Sequence, residues 1–439
     1  PGNGNDQANA MVLDTSGNIY VTGTGTASGN NINYITIKYN SAGTVQWLQS
    51  YDNNTSTDIA SGIAVDKAGN VYVTGHSIGV GNDIATVKYN SSGVQQWVHR
   101  YDGPGNSDDY PSGIVVDSLG EIYVTGYSRG VNNDYDIVTI KYTASGPLPL
   151  WIKRYNGTGN STDQGYGLAV DNSGNAYVTG NSIGIGTGID YITIKYNPFG
   201  TLLWEQRYNG TANDEDYARD IALDNSGNVY VTGSSVGIGS SSDCLTIKYN
   251  NSGALQWEQR YNGPANSIDN GGFVRLDVNG NVYVAGNSEG IGTSTDYILV
   301  KYNSSGVQQW AQRYNGPQNA QDFTTDMVLD KNNYIYVAGS SVGASNDFAS
   351  LKYNFAGVVQ WEQRYNGTAN LIDIPNSIAV DKSGNVYIAG VTYVAANSSD
   401  FIILKYTQQV GINTISNEVP SGFSLKQNYP NPFNPLTNI

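Results

Sequence analysis

The residues whose types and spacing could do chemistry here are carboxylates. Asp83, Asp136, Asp190, Asp243, Asp296, Asp347 and Asp400 recur at intervals of about 52 residues, and Asp58, Asp108, Asp163, Asp216, Asp269, Asp322 and Asp373 form a second series in step with them. Two carboxylates per repeat, set among Asn and backbone carbonyls, are hard oxygen ligands of the kind that hold Ca²⁺. No D-x-D-x-D-G loop accompanies them. The simpler reading is structural, because a residue present in every repeat answers a need every repeat has, such as accepting N–H groups where a loop enters a strand.

A second constellation breaks the repetition. Positions held by Ala64, Val115, Ala169, Ala222, Val328 and Ala379 in other repeats are taken by Arg275 in the sixth, with Phe273 two residues earlier. Asp220 and Asp326 stand nearby in their own repeats, and Asp214 and Asp216 in the preceding loop. Such a set fits a polar ligand, or acid–base work by the carboxylates. The plainer alternative pairs Arg275 with Asp220 or Asp326. His76 and His99 are the only histidines and neither has a second His beside it, while Cys244 takes a position held by Tyr191 and Tyr297 and reads as buried and inert. No Ser–His–Asp set is present, and "GIG" at Gly184 and Gly237 lacks the helix that phosphate binding needs.

The elements that must position these groups are legible. "DNSGNVYVTG" (224–233) recurs in near-copy from Asp14, Asp66, Asp117, Asp171, Asp277, Asp330 and Asp381. A period near 50 with several strands per unit indicates propeller blades. In the second unit, strands are expected at Gly62–Val65, Val71–Thr74, Ile84–Tyr89 and Val94–Tyr101, with tight turns at 66–70 and 90–93 and a longer loop from His76 to Asn82. That order puts the tight turns on one face and the longer connections, with most of the variation, on the other.

Third-strand "KY" occurs eight times, from Lys38 to Lys405, but the fourth-strand Trp only seven, from Trp47 to Trp361. The expected fold is therefore all-β, a propeller of eight four-stranded blades whose last blade is one strand short. Pro1 to Asn3 aligns with Pro104 to Asn106, so a "W-x-x-R-Y-N-G" strand upstream of Pro1 is expected to close the ring. The repeated Lys, and Arg100, Arg154, Arg207, Arg260, Arg313 and Arg364, are expected to pair with the repeated carboxylates. The Tyr and Trp series are expected to pack blade on blade.

Composition agrees: 53 Gly and 34 Tyr with only 13% charged residues suit strands joined by turns. A net charge of −15 argues against a nucleic-acid partner. One cysteine excludes an internal disulfide framework, and no apolar run is long enough to span a membrane. A start at Pro1 without a leader reads as a trimmed chain, and a monomer is expected.

The "D-x-x-G-N-x-Y-V-T-G…K-Y…G…W" pattern over residues 1–406 resembles the bacterial β-propeller repeat called SBBP. That family's name implies seven blades, so the count stands at seven or eight, and the resemblance transfers no catalytic residues. Residues 407–422 read as a linker, and 423–439 as the start of a further domain. There Leu425 to Pro435, "LKQNYPNPFNP", resembles the opening of the C-terminal sorting domain of type IX secretion in Bacteroidetes-like bacteria. This implies export by that machinery to the medium or the outer surface of a Gram-negative cell.

The expected function is a non-enzymatic binding or adhesion scaffold for a polysaccharide or surface protein, held by the long-loop face. No cofactor is expected beyond Ca²⁺. The alternatives are a propeller-fold polysaccharide lyase or hydrolase using the funnel carboxylates, and a structural spacer.

Overall fold

Each repeated turn is tied by its own aspartate. Asp224 Oδ1 accepts the backbone N–H groups of Ser226 and Asn228, both at 2.9 Å, while Oδ2 accepts the Asn228 side-chain amide at 2.7 Å and the Tyr230 hydroxyl at 3.1 Å. Gly227 sits at φ +76°, where a Cβ would be strained. Burial works against the charge of Asp224, but the hydrogen bonds from Asn228, Ser226 and Tyr230 hold its carboxyl below the usual range. In the seventh repeat Asn333 replaces this glycine and still adopts φ +61°, as Asn tolerates better than other side chains. The hairpin that recurs is thus a self-contained structural unit.

The computed structural model describes residues 5–26, 31–53, 57–395 and 398–407. Within the unit Pro1–Thr407 these form eight antiparallel sheets, each a simple meander in chain order. Seven sheets have four strands. The eighth, among the described residues, has three: Asp373–Val380, Val386–Ala395 and Ser398–Tyr406. First strands of consecutive blades touch all the way round, the last meeting the first, so they line the axis. This is an eight-bladed β-propeller, which settles the count at eight. The sequence-proposed linker and sorting segment, and Pro1 to Asn3, lie outside the described residues.

The core lies between blades rather than within them. Tyr20 and Tyr34 of the first blade pack on Val71, Val73, Ala85 and Val87 of the second, all fully buried. Each such large side chain contributes about 2 kcal/mol by leaving water. The ring closes in the same way, with Ala8, Met11, Ile19 and Val21 against Tyr387 and Ala389. Polar links reinforce this closure: the Asp6 N–H donates to the Ser399 carbonyl at 2.8 Å, and the Asn376 amide to that of Ala8 at 2.7 Å.

Two sequence expectations are corrected. The repeated Lys do not serve the repeated carboxylates. Each lies over the Tyr paired with it, and Lys38, Lys88, Lys141, Lys195, Lys248, Lys301 and Lys405 donate to a carbonyl of the next blade, as Lys141 does over Tyr123 and onto that of Pro198. The supposed long loop from His76 to Asn82 is mostly strand, since the second and third strands run Val71–Ile78 and Asn82–Tyr89. The first strand likewise begins at Asp58 rather than Gly62. Polar and Gly residues masked those strand ends, and the connections between blades are the longer ones.

Candidate functional site

The repeated carboxylates have largely structural partners. Arg100, Arg154, Arg207, Arg260, Arg313 and Arg364 pair with Asp83, Asp136, Asp190, Asp243, Asp296 and Asp347 at 2.6–3.4 Å. Asp400 occupies the same register opposite Thr392, but is exposed and, among the described residues, has no such Arg. The second series begins the innermost strands and, apart from Asp58, which takes the Asn53 N–H at 3.1 Å, accepts the N–H of a glycine six residues earlier, as Asp163 does from Gly157 at 2.6 Å. Burial pushes Asp163 up to about 6. In the third blade the series runs through Asp109, not the expected Asp108. Asp109 accepts the Gly103 N–H at 2.7 Å, whereas Asp108 accepts the Asn82 amide at 2.8 Å. Among the described residues, one junction differs in holding three carboxylates: oxygens of Asp83, Asp102 and Asp109 lie within 4.8 Å of one another.

Arg275, Asp220 and Asp326 do come together. Arg275 Nη1 reaches Asp220 Oδ2 at 2.6 Å and Nη2 reaches Asp326 Oδ1 at 3.6 Å. The carboxylates are also held by backbone amides: Asp220 by Val274 at 2.9 Å, and Asp326 by Met327 at 2.8 Å and Ile378 at 3.0 Å. The set therefore staples the first strands of four consecutive blades. Burial works against the Arg275 charge, and Asp220 and Asp326 more than offset it. Phe273 packs on the core formed between the sixth and seventh blades, Asp214 accepts the N–H of Glu215 in an exposed turn, and Asp216 belongs to the buried series. Asp214 and Asp216 have other partners, while Phe273 shares its strand with Arg275.

The sequence reading missed the strongest break in symmetry. Every first strand carries a β-bulge. The residues at it are Asn9, Ser61, Ser112, Tyr166, Arg219, Gly272, Thr325 and Asn376. A bulge re-aims its extra residue, and on the innermost strands this makes a ring around the channel. Six of the eight are small or amide side chains, while Tyr166 and Arg219 are large and adjacent.

They belong to an aromatic arc at the interblade-loop end of the channel. His76 packs edge-on to Tyr110 at 5.1 Å, Tyr110 on Tyr127 at 5.6 Å and Tyr127 on Tyr166 at 6.3 Å. Arg219 lies over Tyr166 at 5.2 Å and Tyr217 at 5.9 Å, and Arg129 lies over Tyr135 at 4.6 Å. The tyrosines are only partly buried and Arg219 is exposed. Burial, with nearby tyrosines, pushes Tyr127 up to about 12, and burial lowers His76. At neutral pH the arc is thus uncharged hydroxyls and imidazole beside fixed guanidinium groups. The available signal was a column of aligned residues whose members change in size and charge, with Tyr166 and Arg219 among Ser, Thr, Asn and Gly.

The other singled-out residues are structural. His99 Nδ1 lies 3.0 Å from the Tyr142 hydroxyl. Cys244 is fully buried, its thiol pushed up to about 12.

A propeller of this class is what the comparisons also find. The SBBP β-propeller repeat matches in six places, residues 52–82, 96–133, 150–186, 207–238, 309–348 and 360–395. The chain is similar to an uncharacterized WD repeat-containing protein of Acanthamoeba polyphaga mimivirus, 23% identical over 93% of this chain. It spans 35% of that relative's length. Among solved structures it resembles Sqt1 from Chaetomium thermophilum, with TM-score 0.61, 10% identity, and 92% of this chain and 97% of that one covered. The Saccharomyces cerevisiae Sqt1 gives 0.55 at 10% identity, with 88% and 93% covered. At such identities the likeness is one of fold.

Proposed function

We propose that this propeller is a non-enzymatic binding scaffold that takes a polysaccharide at the interblade-loop end of its channel. The observation that carries this reading is the arc from His76 through Tyr110, Tyr127 and Tyr166 to Arg219. It offers partly exposed aromatic faces, which sugar rings stack on, together with hydroxyl donors. Arg219 and Arg129 supply cationic ends for the carboxylate or sulfate of an acidic sugar. Resemblance of residues 425–435 to a type IX sorting sequence supports a site of action outside the cell, reached through that machinery.

The competing reading is a lyase or hydrolase using Asp220 and Asp326. Both carboxylates are already engaged by Arg275 and backbone amides, which favours the binder. The test is affinity electrophoresis against neutral and acidic polysaccharides, with reducing-end and unsaturated-product assays alongside. Retardation by an acidic polysaccharide, lost roughly tenfold in Tyr166→Ala and Arg219→Ala, is the expected result. Turnover abolished by Asp220→Asn, or binding untouched by both arc variants, would overturn it.

A further inference from the structure

We infer that the junction between the second and third blades binds one Ca²⁺ ion through Asp83, Asp102 and Asp109. The oxygens of these residues lie within 4.8 Å of one another, the span of ligands around one ion with metal–oxygen distances near ~2.4 Å. Two of the three are buried. Asp83 Oδ2 is committed to Arg100 at 2.6 Å, but its Oδ1 is buried and has no hydrogen-bond partner. Asp109 Oδ2 takes the Gly103 amide. Its Oδ1 meets the Ser128 hydroxyl, which accepts from Arg154 and keeps its own O–H to donate. Unpaired oxygens like Asp83 Oδ1 recur at sibling junctions, as at Asp190, Asp243 and Asp296, but here a third carboxylate adds to the cost of leaving them without a cation.

Charge separates this junction from its siblings. Elsewhere the position of Asp102 is held by Asn156, Asn209, Asn262, Asn315 and Asn366, so two carboxylates face one Arg. Here three face Arg100, an excess of two negative charges that one divalent ion neutralises. In the first junction Asp52 takes this position, but Asn33 replaces Asp83 and Ser50 replaces Arg100. Asp102 is exposed, which gives the ion an entry and leaves room for water to complete an oxygen shell. All-oxygen ligands of this kind select Ca²⁺ over softer metals. The site lies beside the arc, since Asn82 donates both to Asp108 and to the Tyr110 hydroxyl.

Isothermal titration of chelator-treated protein with calcium chloride tests the inference. The expected result is one ion per chain, with a dissociation constant on the order of 10⁻⁴–10⁻³ M as in extracellular modules. Affinity should fall at least about tenfold in Asp102→Asn. That variant recreates the residue used at five sibling junctions and is exposed, so the fold is retained. No saturable binding up to about ten times that range, more than one equivalent site, or a smaller loss in Asp102→Asn would overturn the assignment. A proton shared by the carboxyls, with no ion, gives the first of these outcomes.

Discussion

Lys141 and Trp151 face each other across the outer strands of the third blade and donate to the same acceptor, the Pro198 carbonyl of the fourth, each at 3.0 Å. The same double latch joins Lys248 and Trp257 to the Ser304 carbonyl. At the junction of the last blade with the first, Lys405 reaches the Ser41 carbonyl at 2.8 Å without a Trp beside it. Lys405→Met is therefore expected to cost about 1 kcal/mol, more than Lys248→Met, whose Trp257 remains. The urea midpoints of the two variants check the ranking.

The Arg275 staple predicts a non-additive series. Arg275→Met leaves Asp220 and Asp326 facing each other without a cation, and is expected to cost on the order of 2 kcal/mol, moderated by the roughly one-third exposure of the Arg. Adding Asp220→Asn and Asp326→Asn should recover most of the loss, as a double-mutant cycle in chemical denaturation would show. If the single variant leaves stability unchanged, the staple is not structural.

Truncating a turn aspartate removes four hydrogen bonds at once. Asp224→Ala should lower stability by about 2 kcal/mol, and Asp224→Asn by less, because Oδ1 keeps its acceptor role toward Ser226 and Asn228. The comparison of melting midpoints reads this directly.

Asp163 gives stability a definite dependence on pH. Its folded carboxyl is raised to about 6 by burial and by Asp136, above the unfolded value near ~3.9. The folded state therefore holds the proton more tightly. The stabilisation is fully present below the unfolded value and is lost as pH rises through about 6. Asp58, Asp216, Asp269, Asp322 and Asp373 are raised by burial in the same direction. Urea midpoints measured with chelator present should fall between pH 4 and pH 7 by this contribution, and Asp163→Asn should flatten part of that slope. Stability rising over the same window would contradict the assignment.

Cys244 is expected to resist thiol reagents in the folded protein and to react at once after unfolding. Burial removes both access and thiolate. Rapid labelling of the folded protein would place the sulfur at a surface it does not occupy here.

The blades were legible because one local solution is written eight times. Asp224 and Tyr230 have counterparts in every copy and Gly227 in all but the seventh, and the Arg–Asp pairs follow from their near-constant offsets. Strand ends were less legible. Asn82 and His76 look like loop residues, and only the ladder to their neighbours makes them strand. The arc was missed for a related reason. Tyr110, Tyr166 and Arg219 lie on three different blades, and nothing local says that a bulge turns Tyr166 and Arg219 into the channel. Arg275 drew notice because it replaces Ala or Val, and pairing with Asp220 or Asp326, 55 and 51 residues away in chain order, was already the plainer alternative; the structure shows that it meets both.

The bulge ring has a bearing on how such proteins diversify. The eight extra residues, from Asn9 to Asn376, stand outside the pairing ladder, so a change there leaves the register of its sheet untouched. Recognition and architecture can then drift independently. A lineage can rewrite eight letters around one opening while the surrounding turns and latches stay constant, and near-identical blades can come to serve unrelated ligands.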